Sequence, residues 1–80
     1  MWYVYLVACS DNSLYCGVTT DLNRRINEHN HAQKGAKYTR SRRPVKLVWS
    51  TTAKNRSEAQ KEEAKIKKLS RKQKLQLIHG

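Results

Sequence analysis

Residues 2–18, WYVYLVACSDNSLYCGV, decide the fold. Residues 2–9 are aromatic, β-branched and aliphatic, which predicts a strand buried on both faces or nearly so. Ser10-Asp11-Asn12-Ser13 is turn chemistry, because Asn and Asp bond locally and tolerate left-handed backbone. Residues 14–18, Leu14-Tyr15-Cys16-Gly17-Val18, are the return strand, so the stretch predicts an antiparallel hairpin that projects tyrosines. Gly17 near its end suggests a bulge or a close approach of other atoms to the backbone.

After the hairpin, Thr19, Thr20 and Asp21 are N-cap candidates, and a helix is expected over about residues 21–31. On it Leu22, Ile26 and His29 or Asn30 share one side, and Arg25 and His29 are neighbours one turn apart. Residues 32–44, AQKGAKYTRSRRP, read as a basic, glycine-containing loop closed by the chain's one proline. A third strand is expected over 45–51, with Val45, Leu47 and Trp49 alternating with Lys46, Val48 and Ser50. Ser57-x-x-Gln60 resembles a capping box opening a second helix to about residue 68. There Ala59, Glu63 and Ile66 fall at i, i+4 and i+7. Ser70-x-x-Gln73 is a second capping box, for a short terminal helix carrying Leu75 and Ile78. The order ββαβαα predicts an α+β domain, a small three-stranded antiparallel sheet flanked by helices.

Eighty residues make one domain, 1–80, with a thin core. The net charge of +11 is uneven. Residues 1–23 hold two acids and no Lys or Arg; residues 24–43 hold seven bases and one acid; residues 44–80 hold ten bases and three acids. Such a surplus favours a polyanionic partner, nucleic acid first among them, since each neutralised phosphate releases counterions. The two cysteines, Cys9 and Cys16, are too few for a zinc site and are expected to pack as small apolar side chains without a disulfide. No apolar run is long enough to span a bilayer, and Trp2–Cys9 lacks the basic start of a signal peptide. The expected location is the cytoplasm, with reduced thiols.

Tyr3-Val4-Tyr5, Tyr15-Cys16-Gly17, the segment Gly17 to Arg25, and Ser57-Glu58-Ala59-Gln60-Lys61-Glu62-Glu63 together resemble a GIY-YIG nuclease domain. The likeness runs from Trp2 to about Ile78 and is greatest to short, single-domain bacterial members of URI type. The two triplets stand for the signature motifs, with Tyr3 in place of the first glycine and Cys16 in place of the isoleucine. The asparagine that longer members carry late in the chain has no match in Leu69-Ser70-Arg71-Lys72-Gln73-Lys74.

The resemblance implies hydrolysis of DNA phosphodiester bonds, in repair or processing, with one divalent cation, Mg²⁺ or Mn²⁺. Glu63 matches the family's metal carboxylate, and a lone carboxylate suits Mg²⁺, which keeps several waters. Tyr5 matches the tyrosine that takes a proton from the attacking water. Tyr15 would orient groups at the site, Arg25 would stabilise phosphate charge by paired hydrogen bonds, and His29 would donate to phosphate or relay a proton. Glu63 also lies within an apolar stripe, where a bare carboxylate is costly without a partner. Lys34, Lys37, Tyr38, Thr39, Arg40, Arg42 and Arg43 are the expected nucleic-acid surface, with one ring able to stack on an unpaired base. DNA is favoured over RNA, no membrane partner is expected, and a separate protein would supply targeting. Two rival readings are a nucleic-acid-binding module that keeps the fold without catalysis, and a basic RNA- or ribosome-associated protein.

Overall fold

The computed structural model describes residues 1–31 and 37–80. Strands β1 (Trp2–Ala8), β2 (Leu14–Thr19) and β3 (Lys46–Ala53) form one antiparallel sheet in the order β2-β1-β3. The central place of β1 explains its run of hydrophobic residues: Val4, Tyr5, Leu6 and Val7 are all buried, covered from both sides. The hairpin turn forms as its residues dictate. Asn12 adopts the left-handed conformation at φ 67°, and the Asp11 carboxylate accepts from the backbone and hydroxyl of Ser13.

Helix α1 (Leu22–His31) covers one face of the sheet. There Tyr5, Val7, Cys9 and Val45 form a cluster, with Tyr15, Leu22, Ile26 and Leu47 packed against it. Helices α3 (Arg56–Lys67) and α4 (Arg71–His79) cover the other face. Val4, Leu6 and Cys16 meet Ala59 and Ile66 there, with Trp49 and Ile78 alongside. Both cysteines are free thiols, and they belong to these two separate clusters, as expected of apolar packing.

Three details differ from the expectation. The segment before β3 contains a single helical turn, α2 (Lys37–Arg40). Val45, Leu47 and Trp49 do not share a face, because a bulge breaks the alternation. Pairing steps from Leu6↔Trp49 to Val7↔Leu47, so Val48 is extra; Leu47 joins the Tyr5 cluster and Trp49 the Leu6 cluster. Ser57 is not the cap of α3. Asn55 is, in extended backbone, with its side chain accepting from the Glu58 amide at 2.9 Å. The Ser70–Gln73 capping box forms in both directions, at 2.9 and 3.2 Å.

Candidate active site

Four of the five expected catalytic residues meet on the α1 face. Asp21 starts α1 as an N-cap, its carboxylate accepting from the Arg24 amide at 3.0 Å, and its own amide donates to the Thr19 hydroxyl. This fixes the helix phase, so that Arg25 and His29, one turn apart, both point toward the tyrosines. Tyr5 stands opposite Gly17 in the β1–β2 ladder. A side chain on Gly17 would lie 2.6 Å from Cζ of the Tyr5 ring and closer still to its hydroxyl. The bare glycine therefore lets the phenol lie across β2, and this is the close approach its position suggested.

The Tyr5 hydroxyl is 2.8 Å from Nε2 of His29, and the other ring nitrogen of His29 is 2.8 Å from the Thr39 hydroxyl. All three residues are at most 1% exposed. The Arg25 guanidinium acts on the ionisation of the Tyr5 hydroxyl, and its Nη1 donates to Glu28 at 3.1 Å. The His29 ring meets the edges of two phenols, Tyr5 at 5.8 Å and Tyr15 at 5.5 Å between centroids.

Burial pushes the Tyr5 phenol up to about 12, with the hydrogen bond and charge of Arg25 pulling the other way. Burial, helped by the Arg25 charge, pushes His29 down to about 4, so the imidazole is neutral near pH 7. Burial opposes the Arg25 cation, yet its bonds to Tyr5 and Glu28 outweigh that and hold it above the usual range. At rest the cluster is thus a neutral phenol, a neutral imidazole and a fixed cation.

Glu63 is placed differently. It lies on the stripe of α3 that carries Ala59 and Ile66, over the face opposite Tyr5 and His29. Its carboxylate pairs with Lys67 at 3.5 Å and is 22% exposed. Burial, then the Glu63 charge, pushes the Cys16 thiol up to about 11, with Lys67 and Lys74 pulling it down. Because β2 is an edge strand, Tyr15 and Cys16 present the two faces of the sheet at one rim. Among the described residues no group of three His, Cys, Asp or Glu side chains could hold a metal. One partly open carboxylate fits a cation that keeps its waters and shares substrate oxygens, as Mg²⁺ does, and does not fit a closed zinc cage. A groove of about 720 Å³ between the end of β3 and the start of α3 is lined by none of these five residues.

The expected nucleic-acid surface is rearranged. Lys34 lies outside the described residues, as do the side chains of Lys37 and Tyr38. Arg40 is exposed. Arg42 pairs with Asp11 at 3.0 Å. Thr39 is a correction: it is fully buried and turned toward His29, so it has no surface to offer a phosphate. Arg43 is also turned inward. Its guanidinium donates to the carbonyls of His29 and Glu28 at the end of α1, where a cation complements the helix dipole. Asn30 adds a two-way clasp on Val45, accepting from its amide at 2.7 Å and donating to its carbonyl at 3.1 Å. Asn30 is a site-building residue that sequence reasoning missed, and Thr39 is one to which it gave the wrong role. A signal for Thr39 was present: a buried imidazole on an apolar helix face needs a partner for each nitrogen.

The family model described as the GIY-YIG catalytic domain matches residues 1–76. The chain is 56% identical over 77 residues to a UPF0213 protein of Desulfotalea psychrophila, covering 96% of this chain and 70% of that one. It is 56% identical over 78 residues to a UPF0213 protein of Clostridium perfringens, covering 98% and 83%. A solution NMR structure of a UPF0213 protein from Bacillus halodurans is similar at a TM-score of 0.61 and 46% identity, covering 99% of this chain and 84% of that one. A second NMR structure, of a protein from E. faecalis, gives a TM-score of 0.63 at 50% identity, covering 92% and 78%.

Proposed function

This chain belongs to the GIY-YIG family, and from that premise we propose that it is a metal-dependent endonuclease hydrolysing DNA phosphodiester bonds. The observation that carries the reading is the buried Tyr5–His29 hydrogen bond with Arg25 on the same hydroxyl. Binding modules have no need of a phenol aligned on a neutral imidazole beside a fixed cation.

In this reading a water attacks phosphorus and the opposite P–O ester bond breaks. The water proton passes to the Tyr5 oxygen as the Tyr5 proton passes to Nε2 of His29, and the leaving oxygen takes a proton from solvent. Arg25 is the charge clamp. A guanidinium has five N–H donors and no acceptor, so one group can hold Tyr5 and reach a phosphate oxygen. A bound phosphodiester also offsets the Arg25 charge that depresses His29, easing proton transfer as substrate arrives. Tyr15, edge-on to the ring, holds the imidazole plane. Glu63, over the opposite face, would hold Mg²⁺ beside the β2 rim, and that cation would supply positive charge to a phosphate bound at the rim. Lys67 and Lys74, which both act on Cys16 beside Glu63, add positive charge at that rim. DNA repair or processing, with targeting by a partner protein, is the setting this activity suits.

One observation favours the rival binding-module reading: in the free protein both Tyr5 and His29 are shifted against ionisation. The test is cleavage of flapped, branched and single-stranded DNA with Mg²⁺, Mn²⁺ or EDTA. The proposal expects metal-dependent cutting that Arg25→Ala and Glu63→Ala abolish while salt-sensitive binding persists. Binding without cutting by every protein selects the rival, and equal cutting by all three marks a contaminant.

A further inference from the structure

We infer that Thr39 is a positioning residue that selects the Nδ1–H tautomer of His29 and so presents Nε2 to the Tyr5 hydroxyl as a bare acceptor. The inference rests on the reading of Tyr5 as the residue that handles the water proton, but its structural content is independent of catalysis.

The argument is an account of protons. The Arg25 cation acts on the Tyr5 hydroxyl, and a guanidinium can only donate. The lone pairs of the Tyr5 oxygen therefore face Arg25, and its own proton needs another destination. In the free protein Tyr5 is 1% exposed, so bulk solvent is not that destination. Nε2 of His29, at 2.8 Å, is. A neutral imidazole that accepts at Nε2 carries its proton on Nδ1. That proton points at the Thr39 hydroxyl, also at 2.8 Å and fully buried. The chain then runs in one direction, from Arg25 to Tyr5 to His29 to Thr39. No buried side-chain polar atom among the described residues lacks a partner. In the opposite tautomer Nε2–H and Arg25 would both donate to the phenol oxygen, and the imidazole could not accept the Tyr5 proton.

The placement of Thr39 is built. It sits on α2, and the segment that follows is closed back on α2 by one bond and tied to α1 at two points. The Arg42 amide donates to the Thr39 carbonyl at 3.0 Å, Arg43 holds the carbonyls of Glu28 and His29, and Asn30 clasps Val45. A hydroxyl held this way defines the ring's tautomer as the carboxylate or carbonyl behind a histidine does elsewhere.

The test is NMR of the ¹⁵N-labelled histidine rings, in native protein and in Thr39→Val and Thr39→Ser. Native protein and Thr39→Ser should carry the His29 proton on Nδ1, in slow exchange with solvent. Thr39→Val, which keeps shape but offers no acceptor, should move the proton toward Nε2. With DNA, kcat of Thr39→Val should fall roughly tenfold or more at unchanged KM, as when the hydrogen bond behind an imidazole is lost, and Thr39→Ser should recover it. An Nε2–H tautomer in native protein, or an unmoved Nδ1–H in Thr39→Val, overturns the proposal. If Thr39→Val does not fold, the native and Thr39→Ser spectra decide alone, an Nε2–H ring in either being contrary. Absence of cleavage alongside the expected tautomers would refute the nuclease reading and leave the assignment of Thr39 standing.

Discussion

Tyr5 and Gly17 face each other across the β1–β2 ladder, and the Tyr5 ring occupies the space that a side chain at Gly17 would need. The signature glycine thus serves the signature tyrosine. Its lack of a β-carbon lets the phenol lie flat over β2 and reach Arg25 and His29.

Gly17→Ala should accordingly displace the Tyr5 ring. Overpacking at such a contact costs about 1–3 kcal/mol, to be read from denaturant unfolding. The His29 ring resonances should shift with it, and cleavage should fall together with them. An Ala variant of native stability and spectrum would contradict the contact.

Tyr5→Phe keeps the ring and removes only the hydroxyl. Nε2 of His29 then loses its buried donor, at a cost of about 1–3 kcal/mol. Cleavage should drop at least a hundredfold, within the range expected for loss of a general base, while DNA affinity stays within about twofold.

Stability should be pH-dependent with two separate windows. His29 binds its proton near 6.5 when unfolded and near 4 when folded. The unfolded state therefore binds more protons between those values. Stability is fully present above pH 6.5 and declines, by on the order of 3 kcal/mol, as pH falls through 4. Tyr5 acts oppositely, its phenol raised from 10 to about 12. Its contribution is fully present below pH 10 and is lost as pH rises through 12. Thermal melting across pH checks both, and His29→Gln should flatten the acid limb only.

Arg43 and Arg40 should separate structure from binding. Arg43→Ala removes the cap on the α1 carbonyls and should cost about 1–2 kcal/mol of stability, with little change in DNA affinity. Arg40→Ala should lower the salt slope of DNA binding by about one.

The hairpin, the sheet and the phase of α1 were legible in the sequence because short-range rules govern them. Strand alternation placed Tyr5 and Leu6 on opposite faces, and i,i+4 spacing put Arg25 beside His29. The faces of β3 were not legible. The bulge that sends Leu47 and Trp49 to opposite sides is settled by pairing with β1, far away in the chain. The cap of α3 was misread by two residues, because Asn55 and Ser57 are both good caps and only backbone conformation chooses between them. Thr39, Arg42 and Arg43 read as a phosphate surface from their basic neighbourhood. Composition gives charge but not direction, and Thr39 and Arg43 point inward because α1 has an imidazole nitrogen and end carbonyls to satisfy. The motif alone likewise did not reveal that Glu63 stands over the Cys16 face while the other four residues gather on the far one.

The central claim is that the Tyr5–His29 pair performs hydrolysis, and the most direct measurement is single-turnover cleavage of a labelled branched DNA by native protein and Tyr5→Phe, both saturating the DNA, in Mg²⁺. The account predicts cutting by the native protein, at least a hundredfold less by Tyr5→Phe, and equal occupancy in both. Equal rates in the two proteins, or no cutting by native protein with any divalent cation, would contradict it.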